Sequence, residues 1–115
     1  MVEPTEKLVI IWSSADREVA KEIVFMYGYN SKVNGWWEDV TLIVWGPATN
    51  LLSQDDELQE DISRIRDAGI KVEACKKCAD DYGVSAKVAS LGVEVKYMGV
   101  PLTSYLKEGR KVITF

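Results

Sequence analysis

The sequence predicts an α/β domain, a three-layer α/β/α sandwich around a mainly parallel five-stranded sheet. Three observations point there. Short continuous apolar runs, Leu8 to Trp12 and Leu42 to Trp45, have the pattern of strands covered on both faces, not the alternation of a half-exposed sheet. Segments of helical spacing separate such runs, so strand and helix alternate along the chain. The 115 residues suit a single domain, 1–115, large enough to bury roughly two-thirds of its unfolded surface without staples.

Lys7 to Trp12 is the first strand, and it ends at Ser13-Ser14-Ala15-Asp16, whose hydroxyls and carboxylate suit a helix cap. On the helix that follows, Val19, Ala20, Ile23, Val24 and Tyr27 share one face and Gly28 offers a stop. Tyr29 to Glu38 reads as a loose surface excursion carrying Trp36-Trp37. Val40 to Trp45 is the second strand, closed by Gly46-Pro47. Ser53-Gln54-Asp55-Asp56 resembles a capping box ahead of Leu58, Ile62 and Ile65, and Gly69 ends that helix. Ile70 to Ala74 is the third strand; a helix starting at Cys75 runs to about Tyr82-Gly83. A short helix, Ser85 to Leu91, stops at Gly92. Val93 to Tyr97 reads as the fourth strand, Pro101 to Lys107 as a helix with proline in its first turn, and Lys111 to Phe115 as the last strand.

Right-handed crossovers gather the loops that follow parallel strands along one edge, where open α/β sheets bind ligands. Ser13, Ser14, Gly46, Pro47, Cys75 and Met98 are therefore expected to face a common crevice, with Lys76 beside it. These are the candidate binding residues.

Composition narrows the chemistry. Hydrophobic residues make up 47% and charged residues 28%, as in a compact globular protein. The net charge of −4 comes from scattered acids and bases, so the basic stripe that nucleic-acid binding needs is missing. The apolar runs are far shorter than the ~20 residues that cross a bilayer. The acidic start, Met1-Val2-Glu3-Pro4-Thr5-Glu6, lacks the pattern of a secretory signal, so a cytoplasmic protein is expected. Zero histidines remove Cys/His and Ser/His/Asp nucleophiles and HExxH zinc sites. Neither GxGxxG nor a P-loop is present, and two thiolates with Asp80 and Asp81 match the common zinc sets poorly. Neither a metal nor a cofactor is expected.

Cys75-Lys76-Lys77-Cys78 is the motif left over. A sulfur at a helix N-terminus beside two ammonium groups favours thiolate over thiol. Cys75, nearest the strand end, is expected to attack first; Cys78, one turn into the helix and more buried, is expected to be the slower, resolving thiol. The other reading takes both cysteines as small apolar fillers, and Lys76 and Lys77 as solvated charges. Ser13, Ser14 and Asp16 equally suit a plain N-cap. Trp12 and Trp45 are expected in the core or crevice wall. Adjacent Trp36 and Trp37 point opposite ways, so one of them is available to another subunit.

The strand Val72-Glu73-Ala74 leading into Cys75-Lys76-Lys77-Cys78-Ala79 and Tyr82-Gly83-Val84, with the tail from Val93-Glu94-Val95 through Gly109 to Phe115, resembles the DsrE/DsrF-like family over nearly the whole chain. The resemblance implies a small α/β domain that assembles into trimers or hexamers. It also implies, for the sulfur-relay members, that a cysteine at the position of Cys75 accepts sulfur as a persulfide and passes it to a partner protein. Cys78 departs from the single-cysteine pattern, and family members without the cysteine serve as structural partners. A thioredoxin would instead place its CxxC after an early strand with a cis-proline opposite, and Pro4, Pro47 and Pro101 offer no counterpart.

Three functions stay open on this reading. The first is a cytosolic sulfur carrier or sulfurtransferase-like protein holding a persulfide on Cys75; the second is a non-catalytic ligand-binding or assembly module. The third is a dithiol redox protein using Cys75 and Cys78.

Overall fold

The computed structural model describes residues 6–115. Met1 to Thr5, part of the segment from which the lack of a secretory leader was read, lie outside the described residues. Strands β1 (Lys7–Trp12), β2 (Asp39–Val44), β3 (Lys71–Cys75), β4 (Glu94–Lys96) and β5 (Lys111–Thr114) form one sheet in the order β4-β3-β2-β1-β5. All its pairings are parallel. The three apolar runs are its neighbouring interior strands, as their composition demands.

The helical elements are α1 (Arg17–Val19), a π-helical segment (Ala20–Phe25), α2 (Met26–Val33), α3 (Pro47–Gln54), α4 (Asp56–Asp67), α5 (Lys76–Tyr82), α6 (Ser85–Ser90) and α7 (Gly99–Lys107). The chain steps one strand at a time from β1 to β4, then returns past three strands to reach β5 beside β1. Crossovers of one hand put the stepwise connections on one face and the return connection, α7, on the other.

Strand alternation sorts the core accordingly. Leu8, Ile10 and Trp12 of β1, Val40, Leu42 and Val44 of β2, and Val72 and Ala74 of β3 pack against Val24, Phe25, Leu52, Leu58, Ile62, Ile65 and Val88. Trp12 meets Phe25 edge to face with ring centroids 5.0 Å apart. The opposite face holds a smaller cluster: Val9, Ile43, Cys75, Met98 and Tyr105, with Leu102 and Val112 at its margin.

Two elements differ from the sequence expectation. Gly28 does not end the first helix, which continues to Val33 and turns at Asn34-Gly35, where Gly35 has φ 68°. Gly28 is instead buried against β1, and a Cβ there would lie 3.3 Å from Ile10 Cδ1. The expected excursion from Tyr29 is thus half helix. Pro47 is not a loop residue; it opens α3 as a first-turn proline, after Gly46 at φ 61°. Ala48 and Leu52, one turn apart, bury that helix. The capping box holds in modified form, since Asp55 caps α4 by accepting from the Leu58 N–H at 3.0 Å. Of the tryptophan pair, Trp36 is 55% exposed. Trp37 packs on the core and donates Nε1–H to Tyr27 Oη at 3.0 Å.

Candidate functional site

The carboxyl ends of β1, β2 and β3 are knitted together by their loops. Trp45 N–H donates to the Trp12 carbonyl at 2.9 Å, and Ala48 N–H to the Ser13 carbonyl at 3.2 Å. Gly46, whose left-handed conformation a side chain would strain, aims its N–H at Cys78 Sγ, 3.3 Å away. Ser13, Gly46 and the cysteine pair do share one edge.

Topology singles out one point on that edge. The loop after β3 leads to α5 and the stepwise side, whereas the loop after β4 leads to α7 on the other face. Neighbouring strands whose connections diverge leave a crevice between their ends. Cys75, the last residue of β3, pairs in register with Lys96, the last residue of β4, and Met98 follows two residues on. The cysteine therefore stands at the switch point of the sheet.

Its surroundings reverse the expected order of burial. Cys75, which also occupies the N-cap position of α5, is only 5% exposed among Val9, Ile43, Met98 and Tyr105. Cys78 is half-buried at the rim of the same cluster. A strand residue facing the sheet's thin side lies under whatever covers that face, whereas the first turn of α5 rises out of it. Burial pushes the Cys78 thiol up from its ordinary value and the adjacent Cys75 thiol adds to this. The Gly46 N–H works the other way, by stabilising the thiolate, but does not outweigh them.

The lysines are less available than the motif suggests. Lys76 Nζ lies 2.7 Å from Asp80 Oδ2 and 5.5 Å from the centre of the Tyr97 ring. Lys77 Nζ lies 2.6 Å from Asp81 Oδ2. Both are i,i+4 helix pairs, so each charge near the thiols comes with its counter-charge. Ser13 donates its hydroxyl to the Phe115 carbonyl at 3.0 Å, closing β5 onto β1. Ser14 Oγ accepts from the Asp16 N–H at 3.0 Å, and Asp16 caps α1. The serines thus have local backbone work, and Pro47 sits in α3. Met98 is 1% exposed within the Cys75 cluster.

Sequence reading missed a polar network on the same face. Glu73 is fully buried, two residues before Cys75. Tyr105 of α7 donates its hydroxyl to Glu73 Oε1 at 2.5 Å, and Lys96 Nζ pairs with Oε2. Lys71 Nζ stands 3.7 Å from the same oxygen. Burial raises the Glu73 pKa, but Lys96, Tyr105 and Lys71 together hold the carboxyl below its ordinary range. Burial and the carboxylate push the Tyr105 phenol well above its ordinary value, so it stays a donor. The available signal was a lone acid between apolar neighbours, on the strand face that Cys75 also occupies. Among the described residues, no group of three or more acids and cysteines is placed to hold a metal ion.

A family model described as the DsrE/DsrF-like family matches residues 7–115. Among solved structures, a conserved protein of unknown function from Bacteroides thetaiotaomicron, BT1422, is 37% identical, with a TM-score of 0.92. The match covers 96% of this chain and 95% of that one. MTH1491 from Methanobacterium thermoautotrophicum, likewise of unknown function, is 20% identical with a TM-score of 0.77 over 95% of this chain and 98% of its own. The ychN protein from E. coli is 20% identical with a TM-score of 0.74 over the same shares. These two establish likeness of fold. No curated protein matches the chain.

Proposed function

This chain belongs to the DsrE/DsrF-like family, and on that premise we propose that it is a sulfur carrier that holds sulfane sulfur as a persulfide on Cys75. The observation that carries the reading is the placement of Cys75 at the switch point of the sheet, with a second thiol at the rim beside it. The Cys75 thiolate attacks the outer sulfur of a donor persulfide. The donor's S–S bond breaks, the donor leaves as a thiolate, and a new S–S bond forms on Cys75. No oxidant is needed, because the sulfane sulfur moves without a net change in redox state.

Cys78 gives the site a second outcome. Its thiolate can attack Sγ of the Cys75 persulfide, expelling hydrosulfide and leaving a Cys75–Cys78 disulfide, and this step also balances. The raised thiol of Cys78 slows it at neutral pH, because only the thiolate attacks.

Intact mass after exposure to a persulfide donor tests the proposal. A gain of one sulfur that survives Cys78→Ser and vanishes in Cys75→Ser supports it. Loading that persists without Cys75, or a Cys78→Ser chain that gains no sulfur, overturns it. A homo-oligomer in the cytosol is part of the same reading, supported by the exposed apolar row Ile23, Met26, Tyr27, Val33 and Trp36. Light scattering that gives a monomer at micromolar concentration overturns the assembly, and Trp36→Glu weakens it if that row is the contact.

A further inference from the structure

The switch-point crevice is closed in this structure. Met98 packs beside Cys75 and α7 continues the cover, so Cys75 is left only 5% exposed. Among the described residues, α7 is the helix that lies on this face, where it packs through Leu102 and Tyr105, beside Met98, on a cluster much smaller than the one under the helices of the other face. Its outward residues Val100 and Leu106 are 80% and 55% exposed. An element held by few contacts opens locally at lower cost than the rest of the fold.

What fixes α7 in place is polar. Leu102 and Met98 make apolar contacts, which are non-directional and tolerate sliding. The Tyr105 hydroxyl on Glu73 Oε1 is directional, and the Arg110 guanidinium stands over the Tyr105 ring, 4.4 Å from its centre. Burying a carboxylate on a strand costs several kcal/mol before its partners compensate. A leucine at that position would make a simpler core.

We infer that Glu73 and Tyr105 are positioning residues for the thiol site: their hydrogen bond latches α7 down, keeps Met98 in the crevice, and so sets how often Cys75 is open to a sulfur donor. The functional consequence rests on the persulfide reading, but the latch itself does not. Met98 is a fitting plug, since an unbranched thioether fills irregular space and leaves it without strain. Sulfur loading would then require a donor able to enter when α7 lifts, and the loaded sulfur would be sheltered from bulk thiols when it closes.

Alkylation with iodoacetamide near neutral pH tests the latch without any sulfur donor. Trypsin cuts after Lys71, Lys76 and Lys77, so Cys75 and Cys78 fall on separate peptides and both can be followed in the native chain. Tyr105→Phe keeps the ring and removes the donor. Cys75 labelling should rise about tenfold or more, the ratio expected for losing one hydrogen bond to a charged group, while Cys78 labelling barely changes. Amide hydrogen exchange should quicken in α7 and stay slow in β1 and β2.

Met98→Ala separates the plug from the latch. Cys75 labelling should rise with α7 exchange unchanged. Unchanged Cys75 labelling in both variants overturns the inference. So does labelling that rises only in step with exchange in β1 and β2, because Cys75 would then be reached through global unfolding. These outcomes are independent of whether Cys75 ever holds sulfur, which the intact-mass experiment decides.

Discussion

The two faces of the sheet are built for different ends. The stepwise face is apolar from edge to edge and covered by several helices, with Trp12, Leu52, Leu58 and Ile62 fully buried in it. The α7 face has a small cluster, a buried carboxylate and both thiols. Stability is concentrated on the first face. The second spends some of it on polar groups and on a helix that is easily lifted, which is where chemistry needing access belongs.

Glu73→Ala probes this contrast most strongly. It leaves the Lys96 ammonium and the Tyr105 hydroxyl without their buried partner, and should cost about 3–5 kcal/mol, read by denaturant unfolding. Glu73→Leu made together with Lys96→Met and Tyr105→Phe, which replaces the whole network by apolar groups, should be nearly neutral. If both variants cost the same, the network is not specifying the position of α7.

Leu58→Ala on the stepwise face should cost about 2–5 kcal/mol, because Leu58 is fully buried. Leu102→Ala, at a half-buried position of α7 itself, should cost less than that, measured in the same unfolding series. Equal losses would mean that α7 is no looser than the other helices.

Acid offers a gentler perturbation. The Glu73 carboxyl is held low by Lys96, Tyr105 and Lys71, with Glu94 beside the lysines and Arg110 over the Tyr105 ring. Its native pKa lies below its unfolded value, so the stability it contributes is complete above pH ~4.3 and lost as pH falls through the native value. Melting temperature should drop there, and Glu73→Gln should flatten that part of the profile.

Lys77→Ala should have the smallest effect. Its pair with Asp81 is exposed, and removal should leave the thermal melt nearly unchanged. Cys78 alkylation should slow slightly as a nearby positive charge disappears.

Much of this architecture was legible in the residues. Uninterrupted apolar runs marked the three interior strands, and Gly69, Gly83 and Gly92 stop the helices they follow. The sequence misled wherever a residue's neighbour lies far along the chain. Gly28 looks like a stop because nothing local reveals Ile10 against it. Helix α3 hid behind Gly46-Pro47 and its polar residues, with only Ala48 and Leu52 to betray a buried face. The cysteines were found, but their relative exposure depends on α7, a helix placed by the return crossover. Glu73 escaped notice because its partners Tyr105 and Lys96 meet it only across strands and layers.

The pairing of β5 with β1 has a consequence for the folding chain. Leu8 to Ile11 bond to residues about a hundred positions later, and Ser13 reaches Phe115 across 102 residues. Until β5 arrives, β1 is an open edge of unpaired amides and carbonyls in the most hydrophobic run of the protein. A chain cut before Lys111 would retain nearly the whole apolar core and still present that edge. Such a fragment should recruit strands from other molecules, so precipitation during truncated expression is its expected fate.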